Sequence, residues 1–147
     1  MAEAVVFFDP ALAEDFAYRV KRAGQMAAKG RFFGAQFVAW LEEDHWLQLA
    51  RHANGMAQRL ALGLTVLPGV SLAWPTEANE VFALMPRGFA EALWNEGAVF
   101  YPWSLQPAPD DPMVGPDQIL VRMVTSFATQ AEQVDALLAA ANRLSTV

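Results

Sequence analysis

Apolar residues recur along this chain with two periods, and the places where the period changes mark its elements. Residues 4–8 (AVVFF) form a β-branched and aromatic run that Asp9-Pro10 ends. The pattern predicts a strand, then a helix with Asp9 as N-cap and Pro10 at its first position. Leu12, Phe16 and Val20 share one face of that helix, which should fade near Gly24. Phe33, Phe37, Trp40 and Leu41 return at helical spacing, and Glu42–Asp44 predict a bend. The third helix has the most continuous stripe: Leu49, Ala53, Met56, Leu60 and Leu64, ended by Leu-Pro-Gly at 67–69.

Beyond residue 69 the period shortens. VSLAW (70–74) and EVFALM (80–85) read as strands flanking a turn at Pro75–Asn79, and Pro86 opens a helix through Phe89, Ala90 and Leu93. Gly97 stands where a helix-ending C′ glycine belongs. AVFYPW (98–103) is a further strand, and residues 104–116, with four prolines, form a long loop of the kind that often carries function. Residues 118–127 form the last strand. Thr129 and Glu132 have capping-box spacing for a final helix that buries Val134, Leu137, Leu138 and Ala141. The expected order is β-α-α-α-β-β-α-β-β-α. It implies an α+β two-layer sandwich, a small antiparallel or mixed sheet with helices on one face. Residues 1–66 are expected to form an N-terminal strand with connecting helices and 67–147 a small α/β domain, together one compact folding unit.

Composition sharpens this picture. The 147 residues suit one domain. A hydrophobic fraction of 54% against 18% charged residues offers more apolar surface than a lone globule needs to hide, which points to a partner surface. A net charge of −6 argues against nucleic acid or an anionic membrane as partner. The absence of cysteine excludes disulfides, thiolate nucleophiles and cysteine metal sites. No basic region precedes the first apolar run and no run reaches membrane-spanning length, so a cytoplasmic location is expected.

Arg122 is the chief anomaly, a cation in the most apolar stretch of the chain, ILVRMVTSF. Leu120, Arg122 and Val124 share one strand face; Ile119, Val121, Met123 and Thr125 share the other. Two readings are open. Arg122 is either a rim arginine with its stem on apolar surface and its head in water, or a bidentate receptor for a ligand carboxylate. Alternation alone favours the first.

Lys29, beside Gly30 and near Arg31, has the residue type of a Schiff-base amine, but such an amine must be desolvated or crowded by cations. A solvated lysine between helices is the better reading, and more so for Lys21. His45 and His52, seven residues apart, lack the further ligands of a metal centre and read as surface or helix-packing residues. Glu42–Asp44 reads as a solvated helix end. The adjacent side chains of Asp110 and Asp111 diverge, so no metal is expected there.

Several stretches taken in order resemble the C-terminal portion of the low-specificity L-threonine aldolases. They are AEAVVFFDPALAEDFAYRVKRAGQ, RFFGAQFVAWLEEDHWLQLARHANGMAQRL, PGVSLAWPTEANEVFALMP and VRMVTSFATQAEQVDALL. The resemblance spans nearly the whole chain. It includes the Ala-Arg-His-Ala-Asn helix, Asn79 and Phe82 at the entry to a strand, and Val-Arg-x-Val-Thr-Ser before the last helix.

That family consists of β-eliminating-lyase relatives of fold type I. They use pyridoxal phosphate to cleave β-hydroxy-α-amino acids into glycine and an aldehyde. The resemblance implies that Arg122 binds the substrate α-carboxylate. It places Lys29 near a position, usually arginine, that approaches the cofactor phosphate of a neighbouring subunit. It also implies that the Schiff-base lysine and the large domain lie before the region matched here. Lys29-Gly30 imitates the lysine motif but falls too late in the order and lacks a preceding strand.

Three expectations follow. The first is a truncated portion of an aldolase, inactive alone, that forms a homo-oligomer through the face that would meet the large domain. The second is a stand-alone, non-enzymatic binding or oligomerisation module using VFYPW and the proline-rich loop. The third is a half-enzyme completed by a separately encoded large domain.

Overall fold

The computed structural model describes residues 3–104 and 112–145. The chain forms two compact units, Met1–Trp46 and Leu47–Val147.

The first unit is helical. Asp9 accepts a 2.9 Å bond from the Ala11 N–H, and Pro10 opens a single 3-10 turn, Pro10–Ala13. Asp15, at φ 59°, interrupts the chain before α1 (Phe16–Arg22). Gly24, at φ 69°, closes α1: its N–H reaches the Lys21 carbonyl while the Gln25 N–H reaches that of Val20. This paired closure needs the positive φ that glycine supplies. α2 runs Gly30–Leu41, and the expected break follows as a 3-10 turn, Glu42–Asp44, with Glu43 and Asp44 at positive φ.

The expected strand at residues 4–8 is absent. A strand needs a neighbouring edge for its backbone groups, and the described residues of the first unit contain no other strand. Phe7 instead packs edge-to-face on Phe16, with ring centroids 4.8 Å apart. None of the described residues of this unit is buried; Phe8, Leu12, Phe32, Val38 and Leu41 are exposed.

The second unit is the expected two-layer α+β sandwich. α3 (His45–Thr65) leads into it, followed by β1 (Ser71–Leu72), β2 (Glu80–Pro86), α4 (Arg87–Asn95), β3 (Tyr101–Pro102), β4 (Gln118–Val124) and α5 (Ala131–Ser145). The sheet order is β1-β2-β4-β3, antiparallel throughout. The β2–β4 register pairs Val81 with Met123, Ala83 with Val121 and Met85 with Ile119. These six are buried and share one core with Ala57, Leu60 and Leu64 of α3, Ala90 and Leu93 of α4, and Val134 and Ala141 of α5. The helices therefore cover one face of the sheet, and Glu80, Phe82, Leu120 and Arg122 lie on the other.

Three expected strands are shorter than predicted, the one at 118–127 ending at Val124. Residues 70–74 and 98–103 reduce to two-residue strands because each sits at a sheet edge, and Pro102 has no N–H to extend its ladder. The final cap also lies one residue later than the Thr129–Glu132 spacing predicts. The Gln130 N–H donates to Gln133 Oε1 at 2.9 Å, while the Thr129 hydroxyl accepts from the Ser126 N–H. The close of α4 matches expectation: Gly97, at φ 90°, donates to Trp94 and Ala98 donates to Leu93.

Candidate carboxylate-binding face

β4 is an inner strand, and Arg122 stands at its middle, facing Phe82 of β2 on one side and Tyr101 of β3 on the other. Strand alternation sends its side chain away from the helices, and the guanidinium carbon lies 4.7 Å from the centroid of the Trp103 ring. The backbone N–H of Trp103 donates to the Leu120 carbonyl at 2.8 Å, which holds this residue beside β4. Phe82 meets Trp103 edge-on at 5.4 Å and Trp74 at 5.2 Å. Arg122 is thus the cation of an aromatic-floored sheet face.

Its carboxylate neighbour is Glu80, two residues before Phe82 and on the same face. Nη1 of Arg122 and Oε1 of Glu80 are 3.4 Å apart, with the side chains 34% and 40% exposed. A well-formed charge-assisted bond measures about 2.7–2.9 Å. The chain does make such a pair elsewhere: Nε and Nη2 of Arg59 donate to the two oxygens of Asp135, each at 2.7 Å. That bidentate bonding holds the Asp135 carboxyl below its ordinary range and raises the Arg59 guanidinium. Among the described residues, Arg122 meets a carboxylate at one corner only.

A polar lock fixes the strand ends behind this face. Thr125 and Asn79 exchange bonds: the Thr125 N–H donates to the Asn79 carbonyl at 2.9 Å, and Asn79 Nδ2 to the Thr125 carbonyl at 2.7 Å. The buried Thr125 hydroxyl donates to the Ala53 carbonyl of α3 at 2.8 Å and lies 3.2 Å from that of Asn79. Nε2 of His52 contacts the Thr129 carbonyl at 2.7 Å, tying α3 to the turn after β4. His52 is accordingly a helix-packing residue.

Lys29 occupies the N-cap position of α2, exposed, in the first unit, while Arg122 belongs to the second. Lys21 is exposed in the last turn of α1. Glu42–Asp44 are exposed as well, and Asp110–Asp111 lie outside the described residues. Among the described residues, no group of three His, Asp or Glu side chains could hold a metal ion. The pyridoxal phosphate implied by the resemblance needs a desolvated amine for its covalent anchor. These residues do not fit it, because both lysines of the chain stand in solvent.

The sequence marks Trp103 only as part of the VFYPW contact segment and gives Glu80 and Trp74 no role. The parity of Glu80 with Phe82 was available, but its nearness to Arg122 follows only from the β2–β4 register.

The fold defines a class: a small α+β domain of the kind found in fold-type-I pyridoxal-phosphate enzymes. More particularly, the chain is homologous to part of the low specificity L-threonine aldolases. It is 50% identical over 101 residues to that enzyme of Pseudomonas sp. (strain NCIMB 10558) and 48% identical over 101 residues to that of Pseudomonas aeruginosa. Each match covers 69% of this chain and 29% of the relative, so the aligned stretch spans under a third of either enzyme. A solved threonine aldolase of Leishmania major superimposes with a TM-score of 0.74 at 26% identity, over 88% of this chain and 35% of that one. Glycine decarboxylase (P-protein) of the glycine cleavage system shares the fold alone, with a TM-score of 0.53 at 23% identity, over 76% of this chain and 25% of that one. No family model matches the sequence.

Proposed function

We propose that this chain is the substrate-carboxylate portion of a pyridoxal-phosphate-dependent threonine aldolase, which converts L-threonine or L-allo-threonine to glycine and acetaldehyde. The observation that carries this reading is the Arg122 side chain, about a third exposed on the helix-free face and, among the described residues, engaged by the Glu80 carboxylate at a single corner. Its fork can donate to both oxygens of an α-carboxylate, fixing the amino acid in position and orientation. The homology to threonine aldolases supports the choice of substrate.

Residues 1–66 serve as the connection to the cofactor-bearing portion. The exposed apolar side chains of the first unit suit burial against that portion or against another subunit. Lys29 is the cation we assign to the phosphate of a cofactor held by other residues. No described helix is long and apolar enough to cross a membrane, and a cytoplasmic setting accords with that.

Residues 1–147 alone should not cleave threonine, because neither lysine sits where an amine is desolvated. Glycine release from L-threonine with added pyridoxal phosphate tests this. Background-level release is expected; turnover that disappears in Lys29→Ala would overturn it.

A further inference from the structure

The contact between Glu80 and Arg122 bears on how the arginine meets a ligand. Glu80 offers the same chemical group that the proposed substrate would offer, from the same sheet face, at 3.4 Å. Both side chains are more than a third exposed, so exchange of Glu80 for a ligand carboxylate buries no stranded charge: Glu80 swings into water. The contrast with Arg59–Asp135, where both oxygens are engaged at 2.7 Å, shows what a closed pair looks like in this chain.

We propose that Glu80 is a built-in counter-carboxylate that occupies Arg122 in the ligand-free protein and is displaced by the ligand's carboxylate. This inference rests on the reading of Arg122 as a carboxylate receptor. It assigns Glu80 as a residue that sets affinity without touching the reacting atoms. Every carboxylate that binds must first replace a tethered competitor, so binding is weaker than Arg122 alone would give. An exposed ion pair of this type is worth about a two- to fivefold change in an equilibrium constant. Glu80 also leaves a negative charge beside the occupied guanidinium, which disfavours a ligand with a second carboxylate nearby.

The test uses the chain of 147 residues and an arginine-selective dicarbonyl reagent, with modification at Arg122 read by peptide mass spectrometry. Acetate and glycine serve as protecting ligands. Glu80→Gln keeps the size of the side chain and removes its charge. The acetate concentration that halves Arg122 modification should fall about two- to fivefold in this variant. Glycine should move in the same direction.

An unchanged half-point in both proteins would overturn the role of Glu80 and leave Arg122 standing as a receptor. Weaker protection by glycine in Glu80→Gln would mean that Glu80 receives the ammonium group, and would also overturn the proposal. If neither ligand protects Arg122 in either protein, the carboxylate-receptor reading itself fails and takes this inference with it.

Discussion

The guanidinium carbon of Arg122 lies 4.7 Å from the centroid of the Trp103 ring, and that ring meets Phe82, the direct cross-strand partner of Arg122, at 5.4 Å. Arg122 is therefore oriented by an aromatic face that is itself braced from the neighbouring strand. A flexible side chain held in this way loses less freedom when a ligand binds. Trp103→Leu should weaken acetate protection of Arg122 about two- to fivefold, in line with about 0.5–1 kcal/mol for an exposed cation–π contact. Trp103→Phe, which keeps a ring, should retain most of the protection. Equal loss in both variants would show that the ring does not orient the arginine.

Thr125 is a buried polar side chain of the second unit, and its hydroxyl lies within reach of carbonyls of both α3 and the entry to β2. Thr125→Val keeps the shape and removes the hydroxyl bond, while the Ala53 carbonyl keeps its place in the ladder of α3. Urea denaturation should show a loss of about 0.5–1.5 kcal/mol. A change within about 0.5 kcal/mol would mean that the lock does not couple helix to sheet.

Gly63 lets α3 and α5 approach closely. A Cβ added there would stand 2.3 Å from Cδ1 and 2.9 Å from Cγ of Leu138, so the whole isobutyl group would have to move. Gly63→Ala gains about 1 kcal/mol of helix propensity, but overpacking costs about 1–3 kcal/mol. A net loss of up to about 2 kcal/mol is expected. The double variant Gly63→Ala/Leu138→Ala should be more stable than the sum of the two single changes allows.

The pair Arg59–Asp135 gives a pH signature. Hydrogen bonding to Arg59 lowers the folded-state pKa of Asp135 below its ordinary value of 3.8. A depressed carboxyl contributes stability that is present above its unfolded value and lost as the pH falls through the folded one. Urea midpoints of the wild type and Asp135→Asn should differ at pH 7 and converge as the pH is taken progressively below 3.8. Added salt should also narrow the gap, since both side chains are about half exposed.

The central strands were legible because short apolar runs, Val81–Met85 and Ile119–Met123, stand between turn-forming stretches at strand length. The run at 4–8 misled because β-branched and aromatic residues report a preference for a pleated surface, not the presence of a partner edge. The shifted cap shows that Gln133 supplies the same acceptor as Glu132 one position later. Arg122 stood out as a local anomaly in its own strand. Glu80 and Trp103 did not, because each reaches Arg122 through strand pairing, and pairing register is not written in any single segment.

The claim that Arg122 is the carboxylate receptor is tested most directly by following its side-chain Nε–H resonance by NMR while glycine or L-threonine is added. The account predicts a saturable shift of that resonance, with Trp103 responding in parallel and both responses absent from Arg122→Met. An Arg122 resonance that stays fixed while others move, or a response that survives in Arg122→Met, would contradict it.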